Sequence, residues 1–485
     1  MMREIIKNSK NWAECEFQDF LNYIQPTKYI VRSTEYDDTY KIPVLTAGKS
    51  FIKGYTNEED GIFEKYPVII FDDFTTATKY VNFPFKVKSS AMKILEPSSK
   101  LVNLKFVYFA MQVNAIRSDT HKRYWISVYA KKQFFIPPLN EQNRIVAKIE
   151  ELFSKLDNGI ENLKTARAQL KVYRQALLKH AFEGKLTADW REQNKDKLET
   201  SSALQQLIHI ERAARYQQQL IDWQAAGQKG SKPKAPKPLQ PLNNVELAEL
   251  PVLPEGWAYT YLAHLGDLGR GKSKHRPRND PKLFGGKYPF IQTGEVKAAV
   301  KVIKEFTQTY SDFGLQQSKL WPKETLCITI AANIAETAFL GFEGCFPDSV
   351  VGFSAFKQTV VAEYIDYFIQ AVRSRIEAYA PATAQKNINL ETLENLVVPY
   401  CSLDEQNYLL NYIDERFSEI DQLEQTINIA LLQSEALRQS ILKKAFSGGL
   451  VAQDANDEPA SVLLARIKAE IAAKPANKRL SKDSI

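Results

Sequence analysis

Two stretches of the chain carry a heptad pattern of apolar residues. In the first, the repeating positions are Ile149, Leu156, Leu163, Leu170 and Leu177, with Leu152, Gly159, Ala166 and Tyr173 interleaved. In the second, they are Ile413, Ile420, Ile427, Ser434 and Ile441, with Arg416, Leu423, Ala430 and Leu437 interleaved. A sustained heptad predicts a long helix whose narrow apolar seam packs on another helix. Some 41 residues rising about 1.5 Å each give a helix of about 60 Å.

The two stretches are copies of each other. Residues 139–186 and 403–450 align without insertion at a constant offset of 264 residues. The shared residues include Phe153/Phe417, Ser154/Ser418, Asp157/Asp421, Arg174-Gln175/Arg438-Gln439 and Ala181-Phe182/Ala445-Phe446. A long match without gaps indicates an internal duplication. The shortest chain path that pairs the two seams is antiparallel, so we expect two long antiparallel helices and a pseudo-twofold repeat.

The regions outside the long helices have the patterns of mixed α/β domains. In the first region, Lys41–Leu45, Tyr66–Phe71 and Phe83–Val87 are predicted strands, and Leu104–Ile116 is a predicted helix. The second region matches the first at landmarks only, such as Trp12 with Trp257. The prediction is therefore an α+β chain with two globular domains separated by two long antiparallel coiled-coil helices.

The predicted boundaries follow from these patterns. Residues 1–138 form the first globular domain, 139–186 the first long helix, and 187–250 a helical and Pro/Lys-rich linker. Residues 251–400 form the second globular domain, 401–450 the second long helix, and 451–485 a C-terminal helical tail. The globular domains have diverged far more than the helices, which indicates that the domains carry the specific function.

Composition narrows the class of protein. The 485 residues carry a net charge of +7, which permits a polyanionic partner such as nucleic acid. The four cysteines are scattered without a Cys-x-x-Cys pair, which argues against a zinc site or a disulfide framework. We find neither a signal-peptide pattern at Met1–Lys10 nor an apolar run of about 18 residues, so we expect a soluble, cytoplasmic protein without a membrane partner.

One stretch has the spelling of a nucleotide-binding loop. Gly266–Ser273 fits G-x-x-x-x-G-K-S letter for letter, but that motif needs a helix directly after it. Pro277 and Pro281 forbid a regular helix there, so we favour a basic loop that faces DNA phosphates. Ile136–Leu139 only faintly resembles a methyltransferase tetrad. The sequence contains no Ser-His-Asp, Cys-His or metal-ligand spacing.

These residues resemble the specificity (S) subunit of type I DNA restriction-modification enzymes, over essentially the whole chain. The resemblance rests on Pro138-Leu139-Asn140-Glu141-Gln142, Leu403-Asp404-Glu405-Gln406, Gly256-Trp257, Gln385-Lys386-Asn387-Ile388-Asn389 and Ala181-Phe182-x-Gly184-x-Leu186. The first domain departs from this pattern, since it has Asn11-Trp12 at its start and Tyr124-Trp125-Ile126-Ser127 in place of the Gln-Lys-Asn run.

The resemblance implies a non-catalytic, DNA-binding subunit of a defence system against phage. Each target-recognition domain would read one half of a split, asymmetric site in double-stranded DNA, and the helices would set the gap. Two methylation (M) subunits would dock on the helices, and restriction (R) subunits would join that core. S-adenosylmethionine, ATP and magnesium would belong to those partners. The alternatives are a coiled-coil scaffold that assembles proteins without reading DNA, and an autonomous P-loop NTPase.

Candidate base-reading residues are of the types that recognise base edges, in diverged loops. In the first domain they are Lys49, Thr75, Thr76, Lys79, Arg117, Lys122, Arg123 and Tyr124; in the second they are Lys272, Lys274, Arg276, Arg278, Thr293, Asn333, Lys386 and Asn387. Any single one could be an ordinary exposed side chain, whereas the clusters favour DNA reading.

A second set of candidates matches between the helix copies but lies off the heptad seams. Its members are Glu141, Gln142, Arg174 and Gln175 in the first copy, and Glu405, Gln406, Arg438 and Gln439 in the second. We predict that they lie on the outer faces of the helices and either dock partner subunits or occupy helix ends.

Overall fold

A computed structural model describes residues 11–47, 50–115, 123–228, 232–236, 238–242, 247–378 and 388–473. The chain divides into two compact units. The first unit is Met1–Thr165 together with Ile427–Ile485, and the second is Ala166–Thr426. The first unit is therefore assembled from two separate pieces of the chain, whereas the second unit is one continuous piece.

The first unit contains nine described strands. They are β1 (Ala13–Glu16), β2 (Leu21–Ile24), β3 (Ile42–Leu45), β4 (Ile52–Thr56), β5 (Val68–Asp72), β6 (Thr78–Val81), β7 (Lys86–Val87), β8 (Met92–Pro97) and β9 (Gln133–Ile136). A four-stranded antiparallel sheet has the order β2-β8-β5-β6, a three-stranded sheet has the order β4-β3-β7, and β1 pairs with β9. The three strands predicted from sequence are present, although the last is confined to two residues.

The predicted helix of the first globular domain is α1 (Leu104–Val113). Asn103 caps its start, because the Asn103 side chain accepts a hydrogen bond from the Phe106 N–H. The helix ends at Val113, three residues before the predicted end. A five-residue π-helical turn, Trp125–Tyr129, precedes β9.

The second unit carries the other strands. They are β10 (Ala258–Tyr261), β11 (Gly266–Arg270), β12 (Phe284–Phe290), β13 (Val302–Ile303), β14 (Gln308–Tyr310), β15 (Leu326–Thr329), β16 (Thr337–Leu340), β17 (Val350–Ala355) and β18 (Val397–Tyr400). The main sheet has the order β11-β17-β15-β16-β13, and β12–β14 and β10–β18 form separate pairs. A pair formed by the first and last strands thus closes the globular domain in both units.

Two helices of equal length carry the heptads. They are α2 (Leu139–Phe182) and α9 (Leu403–Phe446), with 44 residues each, or about 66 Å. Both end in the same way, because Gly184 and Gly448 follow with positive φ angles of 69° and 76°. Glycine adopts this left-handed conformation at little cost, so it terminates each helix a few residues before the predicted boundary.

The ends of the two helices meet in each unit, with their roles exchanged. In the first unit, Ile145 and Ile149 near the start of α2 share a core with Ile441 and Ala445 near the end of α9. In the second unit, Leu177 and Ala181 near the end of α2 share a core with Leu409 and Ile413 near the start of α9. Within each unit the two helices therefore run antiparallel, which confirms the predicted fold class.

The heptad seam is less uniform than its sequence predicts. Ile413, Ile420 and Ile427 are buried, but three interleaved positions are about half exposed: Tyr173 (50%), Leu423 (52%) and Leu437 (52%). Their assignment to the seam was wrong. A strict seven-residue repeat drifts around a straight helix, so not every residue of its two apolar rows stays against the partner helix.

The described chain after each long helix packs on the unit in which that helix ends. After α2 come α3 (Ala188–Gln193) and α4 (Ser201–Ala225), and Leu204 and Ile208 of α4 enter the second core. After α9 comes α10 (Ala460–Ala473), and Leu463 and Ile467 enter the first core. Four short helices complete the second unit: α5 (Thr293–Ala298), α6 (Asp312–Gln316), α7 (Ala362–Ala378) and α8 (Leu390–Glu394).

Candidate nucleic-acid interface

The duplicated Glu-Gln pair at the start of α9 is buried inside the second unit. Glu405 is 0% exposed, and its Oε1 accepts hydrogen bonds from Trp257 Nε1 (2.8 Å), Thr187 Oγ1 (2.5 Å) and the Arg191 guanidinium (2.6 Å). The carboxylate thus joins the start of one long helix to the segment after the other and to the residue that directly precedes the first strand of the domain. Three donors and an arginine charge stabilise this buried anion.

Gln406 completes the joint through its amide. Its Nε2 donates to the carbonyls of Thr359 (3.0 Å) and Cys401 (2.8 Å), and its Oε1 accepts from Val361 N–H (2.9 Å). An amide has two donor hydrogens and an acceptor oxygen, and all of them are used here. Gln406 therefore fixes the start of α9 on its own globular domain.

The first unit repeats this joint with different partners. Trp12 Nε1 lies 3.2 Å from both carboxylate oxygens of Glu141, and Gln142 Nε2 donates to the Pro137 carbonyl (2.9 Å). Burial raises the pKa of Glu141, and the hydrogen bond from Trp12 and the charge of Arg144 oppose that shift. The tryptophan landmarks of the sequence are therefore the partners of the helix-start glutamates.

The outer-face prediction is consequently wrong for four residues: Glu141, Gln142, Glu405 and Gln406. All four are buried and bonded within their own unit, because a helix start that packs on a domain must satisfy its polar groups there. Their contacts are those of residues that anchor the start of a helix, which is the second of the two predicted roles. Gln175 and Gln439 do lie exposed on the two helices, and a docking role for them remains a prediction.

The two matched arginines connect the long helices to each other. The Arg174 guanidinium lies 4.2 Å from the centre of the Phe417 ring and ion-pairs with Asp421. Arg438 lies 4.3 Å from the Phe153 ring and ion-pairs with Asp157. Each contact is the other shifted by 264 residues. These arginines hold the helix pair together and are only partly exposed, so the outer-face prediction fits them poorly too.

A hairpin loop in the first domain collects several base-reading candidates. This first hairpin loop, residues 73–77, joins β5 to β6. Asp73 at its root is buried; its N–H donates to the Ala91 carbonyl (3.0 Å) and its carbonyl accepts from Tyr124 N–H (3.0 Å). The Asp73 carboxylate accepts from Trp125 N–H (2.8 Å) and lies 3.5 Å from the buried ammonium of Lys93. The root of the loop is therefore held on several sides.

Only the tip of the first hairpin loop is open to solvent. Phe74 and Thr75 are exposed, whereas Thr76 is buried and has a φ of 57°. Tyr124 is also buried, and Lys79 is half-buried with its Nζ 5.8 Å from the Phe51 ring centre. Base contact by Thr76 and Tyr124 is contradicted by this burial, because their side chains close the loop from inside.

The remaining first-domain candidates lie next to or outside the residues that the structure describes. Arg123 is exposed and directly precedes Tyr124, so it lies next to the root of the loop. The predictions for Lys49, Arg117 and Lys122 concern residues outside those that the structure describes. They stay predictions.

The second domain has a corresponding second hairpin loop, residues 330–336, between β15 and β16. Ile330 N–H donates to the Ser349 carbonyl (3.0 Å), and its carbonyl accepts from Ile388 N–H (3.0 Å). These are the two root bonds that Asp73 makes in the first domain. Ala335 has a φ of 57°, as Thr76 has. By this register, Tyr124 corresponds to Ile388, so the Gln385–Asn387 run corresponds to residues 121–123 rather than to 124–127.

Asn333 lies in the second hairpin loop, half-buried, and its orientation is fixed by a neighbour. Lys297 Nζ on α5 donates to Asn333 Oδ1 at 3.0 Å. Thr293 begins the same short helix and is also half-buried. The structure therefore brings Asn333 next to α5, while Lys386 and Asn387 lie outside the described residues.

The basic stretch 272–278 forms an exposed loop after β11. Arg276 donates to the carbonyls of Ser273 (2.6 Å) and His275 (2.8 Å), and Arg278 lies 2.9 Å from a carboxylate oxygen of Asp348. Lys272 and Lys274 are exposed, and no described residue pairs with their ammonium groups. The loop thus presents two unpaired lysines beside Arg276, which donates to uncharged carbonyls, and Arg278, which is ion-paired with Asp348.

The nucleotide-loop spelling of Gly266–Ser273 has a packing explanation. Residues 266–270 are strand β11, and no helix follows before residue 281. The Gly271 N–H donates to the Val350 carbonyl (2.9 Å) and the Lys272 N–H to the Phe346 carbonyl (3.1 Å). A phosphate-binding loop needs such amides free. A Cβ at Gly269 would lie 2.7 Å from the Trp321 ring, so glycine is needed there for packing.

Four side chains that the sequence did not single out also belong to these surfaces. Lys319 lies 3.4 Å above the Trp321 ring; burial lowers its pKa, and the charge of nearby Lys272 lowers it further. Phe74, Lys297 and Ile126, which is 60% exposed, lie in or beside the loops described above. Among these four, only Phe74 could have been recognised from the sequence, because it interrupts a loop that is otherwise mostly polar.

The described residues lack both a membrane-spanning helix and a metal-binding cluster. They contain no helix that is both long and apolar enough to span a membrane. They also contain no group of three or more His, Cys, Asp and Glu side chains placed to hold a metal ion.

Comparison with known proteins identifies a family. The sequence model described as "Type I restriction modification DNA specificity domain" matches the chain twice, at residues 9–171 and 254–433. Each match therefore covers a globular domain and most of the long helix that follows it.

Individual relatives agree with that match. The EcoR124I/EcoR124II specificity subunit of Escherichia coli is 44% identical over 172 residues, which cover 33% of this chain and 43% of the relative. The chain thus spans under half of that relative. The EcoBI specificity subunit of Escherichia coli is 23% identical over 88% of this chain and 84% of its own length.

Solved structures share the fold. One chain, from a structural study of assembly and conformational transition in a type I R-M system, has a TM-score of 0.62 at 15% identity. It is matched over 91% of this chain and 99% of its own. The HsdS subunit of Thermoanaerobacter tengcongensis has a TM-score of 0.50 at 14% identity, over 91% and 98% of the two chains.

Proposed function

Because the chain belongs to the type I restriction-modification DNA specificity family, which is a family of non-catalytic subunits, we propose that it reads a bipartite DNA site. Each globular domain binds one half of an asymmetric site. The observation that carries the proposal is the double match, in which the DNA specificity domain occurs once in each half of the chain. Two different domains on a duplicated frame are suited to two different half-sites.

Two linked readers gain selectivity from their connection. Once one domain occupies its half-site, the other is held at a high effective concentration near its own. A correct bidentate base contact contributes about 1–3 kcal/mol, so a few contacts in each domain suffice. The unpaired Lys272 and Lys274 are suited to phosphate contacts, which orient the domain and make binding depend on salt.

The long helices are proposed to set the gap between the half-sites. Each helix is about 66 Å long, which exceeds one turn of DNA, about 34 Å. Deleting one heptad from both α2 and α9 should change the number of base pairs between the half-sites and leave the half-sites themselves unchanged. Methylation sequencing measures both quantities, and an unchanged gap would refute the spacer role.

The catalytic partners complete the proposal. Two methylation subunits dock on the long helices, where exposed Gln175 and Gln439 occupy equivalent positions, and restriction subunits join that core. S-adenosylmethionine, ATP and magnesium are bound by those partners. The whole assembly acts in the cytoplasm on double-stranded DNA.

Domain exchange tests the reading function. Residues 251–400 are replaced by the equivalent segment of another specificity subunit, and the site is determined by methylation sequencing of a host with the complete operon. We expect one half-site to change and the other to persist. The unmodified chain is the control. A change in both halves, or in neither, contradicts the assignment of one half-site to each domain.

A scaffold that ignores DNA is the rival function. It is tested by a gel shift on random duplex at low salt, with the purified chain alone and with its methylation subunits. The scaffold predicts no shift in either case. The NTPase alternative is disfavoured because the Gly271 and Lys272 amides are used within the sheet.

A further inference from the structure

The two hairpin loops share a frame but not a tip. In each, the root residue makes the same two backbone hydrogen bonds, and a residue with a φ of 57° precedes the second strand. The flanking bond joins Asp72 N–H to the Ala77 carbonyl in one loop and Thr329 N–H to the Glu336 carbonyl in the other. The second loop is therefore two residues longer within an otherwise equivalent closure.

Different side chains hold the roots of the two loops. Asp73 uses a buried carboxylate paired with Lys93. Thr329, which is also buried, accepts from Glu336 N–H (3.0 Å) and donates to the Asn333 carbonyl. A recognition element must be positioned by a rigid support if it is to distinguish ligands. Both loops meet that requirement while their exposed residues differ in chemistry.

We propose, on the basis of the proposed function, that the tips of these loops determine the specificity of the two half-sites. Phe74 and Thr75 contact the methyl group of a thymine in the half-site of the first domain. Asn333 pairs with an adenine in the half-site of the second domain. Both contacts are made in the major groove, where these base edges are distinct.

The surroundings of Asn333 favour adenine. An ammonium group can only donate, so the contact with Lys297 fixes which end of the amide is oxygen. The oxygen has a second lone pair, and the Asn333 NH₂ is not engaged by any described residue. An amide with one donor and one acceptor available matches the N7 acceptor and N6 donor of adenine.

The tip of the first hairpin loop favours an apolar contact. Its exposed side chains are an aromatic ring and a threonine, with no amide or charge between them. The Asp72 carboxylate accepts from the N–H groups of both Phe74 (2.9 Å) and Thr75 (2.9 Å), which sets their direction. The thymine methyl is the only apolar group that a base pair presents in the major groove.

The test uses the complete complex of the full chain with its methylation subunits. The bipartite site of the unaltered complex is first determined by methylation sequencing. Duplexes with each single base substituted then compete for binding to the parent and to Asn333→Ala or Phe74→Ala/Thr75→Ala variants. We expect discrimination at one adenine to fall by about 5- to 150-fold for Asn333→Ala, and at one thymine to fall for the double variant.

The two half-sites are internal controls for each other, since each variant should leave the other half unchanged. Asn395→Ala, an exposed asparagine of the same domain at the end of α8, is the matched surface control. Unaltered discrimination in the variants, with a parent that reads a bipartite site, overturns the assignment of the tips. Equal weakening on all sequences overturns it as well. A parent without sequence preference refutes the proposed function itself.

Discussion

Trp257 and Glu405 illustrate how single residues join a long helix to its domain. The indole N–H is one of three donors to a carboxylate with no exposure. Trp257→Phe removes that donor but retains most of the ring. We expect the second unit to lose about 1.5–3 kcal/mol of unfolding free energy, the usual contribution of a hydrogen bond to a charged group. Denaturant unfolding of Trp257→Phe measures it, with Trp223→Phe as a tryptophan control outside the joint.

A buried histidine makes the second unit sensitive to acid. Burial, together with the smaller effect of the nearby Arg212 charge, lowers the pKa of His264 from its usual 6.5 to about 4. The unfolded chain therefore binds a proton at pH values where the folded chain does not, and stability falls as the pH drops from 6.5 towards 4.

His264→Gln should remove that dependence. We expect the loss of unfolding free energy between pH 7 and pH 5 to shrink by about 2 kcal/mol in this variant. Denaturant unfolding at the two pH values measures the difference. His180→Gln replaces an exposed histidine on α2 and serves as the control. An identical pH dependence in His264→Gln and the parent would contradict the role of the buried imidazole.

Residue-level function was the hardest to predict from sequence. The types and copies of Glu141 and Glu405 were visible, yet their burial was not, because it depends on the tryptophan that each one meets more than a hundred positions away. Thr76 shows the same limit. Threonine is a residue type that suits a loop facing DNA. Only the left-handed backbone angle of Thr76 shows that its side chain instead lies inside the loop.

At the scale of elements, the duplicated arginine contacts determine how the helices pair. Arg438 ion-pairs with Asp157 and covers the Phe153 ring. Partly exposed ion pairs contribute at most about 1 kcal/mol, and cation–π contacts about as much. We expect Arg438→Ala to destabilise the first unit by about 1–2 kcal/mol.

A double-mutant cycle separates the two parts of that contact. Arg438→Ala and Asp157→Ala are measured singly and together by denaturant unfolding. Coupling of about 0.5–1 kcal/mol is expected from the ion pair, and it should weaken in high salt. The equivalent cycle with Arg174 and Asp421 reports on the second unit. Strict additivity in both cycles would show that only ring packing matters.

The long helices were the part of the fold best predicted from sequence. Their period, their starts and their relative direction follow from heptads and from chain economy. Their ends were placed a few residues late, because Gly184 and Gly448 stop them by local backbone conformation. The exposure of Tyr173, Leu423 and Leu437 was not predicted, because the period of a sequence does not show how far a helix curves.

At the scale of the whole molecule, the first unit depends on distant sequence. Ile441, Ala445, Leu463 and Ile467 are among eight buried core residues that come from positions 441–467, whereas the other buried residues of that core come from the first third of the chain. A chain that stops at Thr426 should therefore fold its second unit and leave the first exposed to protease. Limited proteolysis with mass spectrometry identifies the resistant fragment, with the full chain as control. Equal resistance of both units would contradict this.

The duplication was visible in the sequence, but the discontinuity of the first unit was not. Heptad repeats predict that two helices pair. They do not predict which globular domain the ends of each helix pack on. In the structure, each globular domain packs on the start of the long helix that follows it in the chain and on the end of the other long helix. That exchange is a property of packing, and no local pattern encodes it.

The split first unit reverses the order in which the nascent chain matures. A ribosome synthesises all of Ala166–Thr426 before it makes the residues that close the first core. The domain translated first must therefore wait, while the domain translated second can finish folding. During that interval the apolar side of the first domain faces solvent, and the completion of α9 and α10 is the step that buries it.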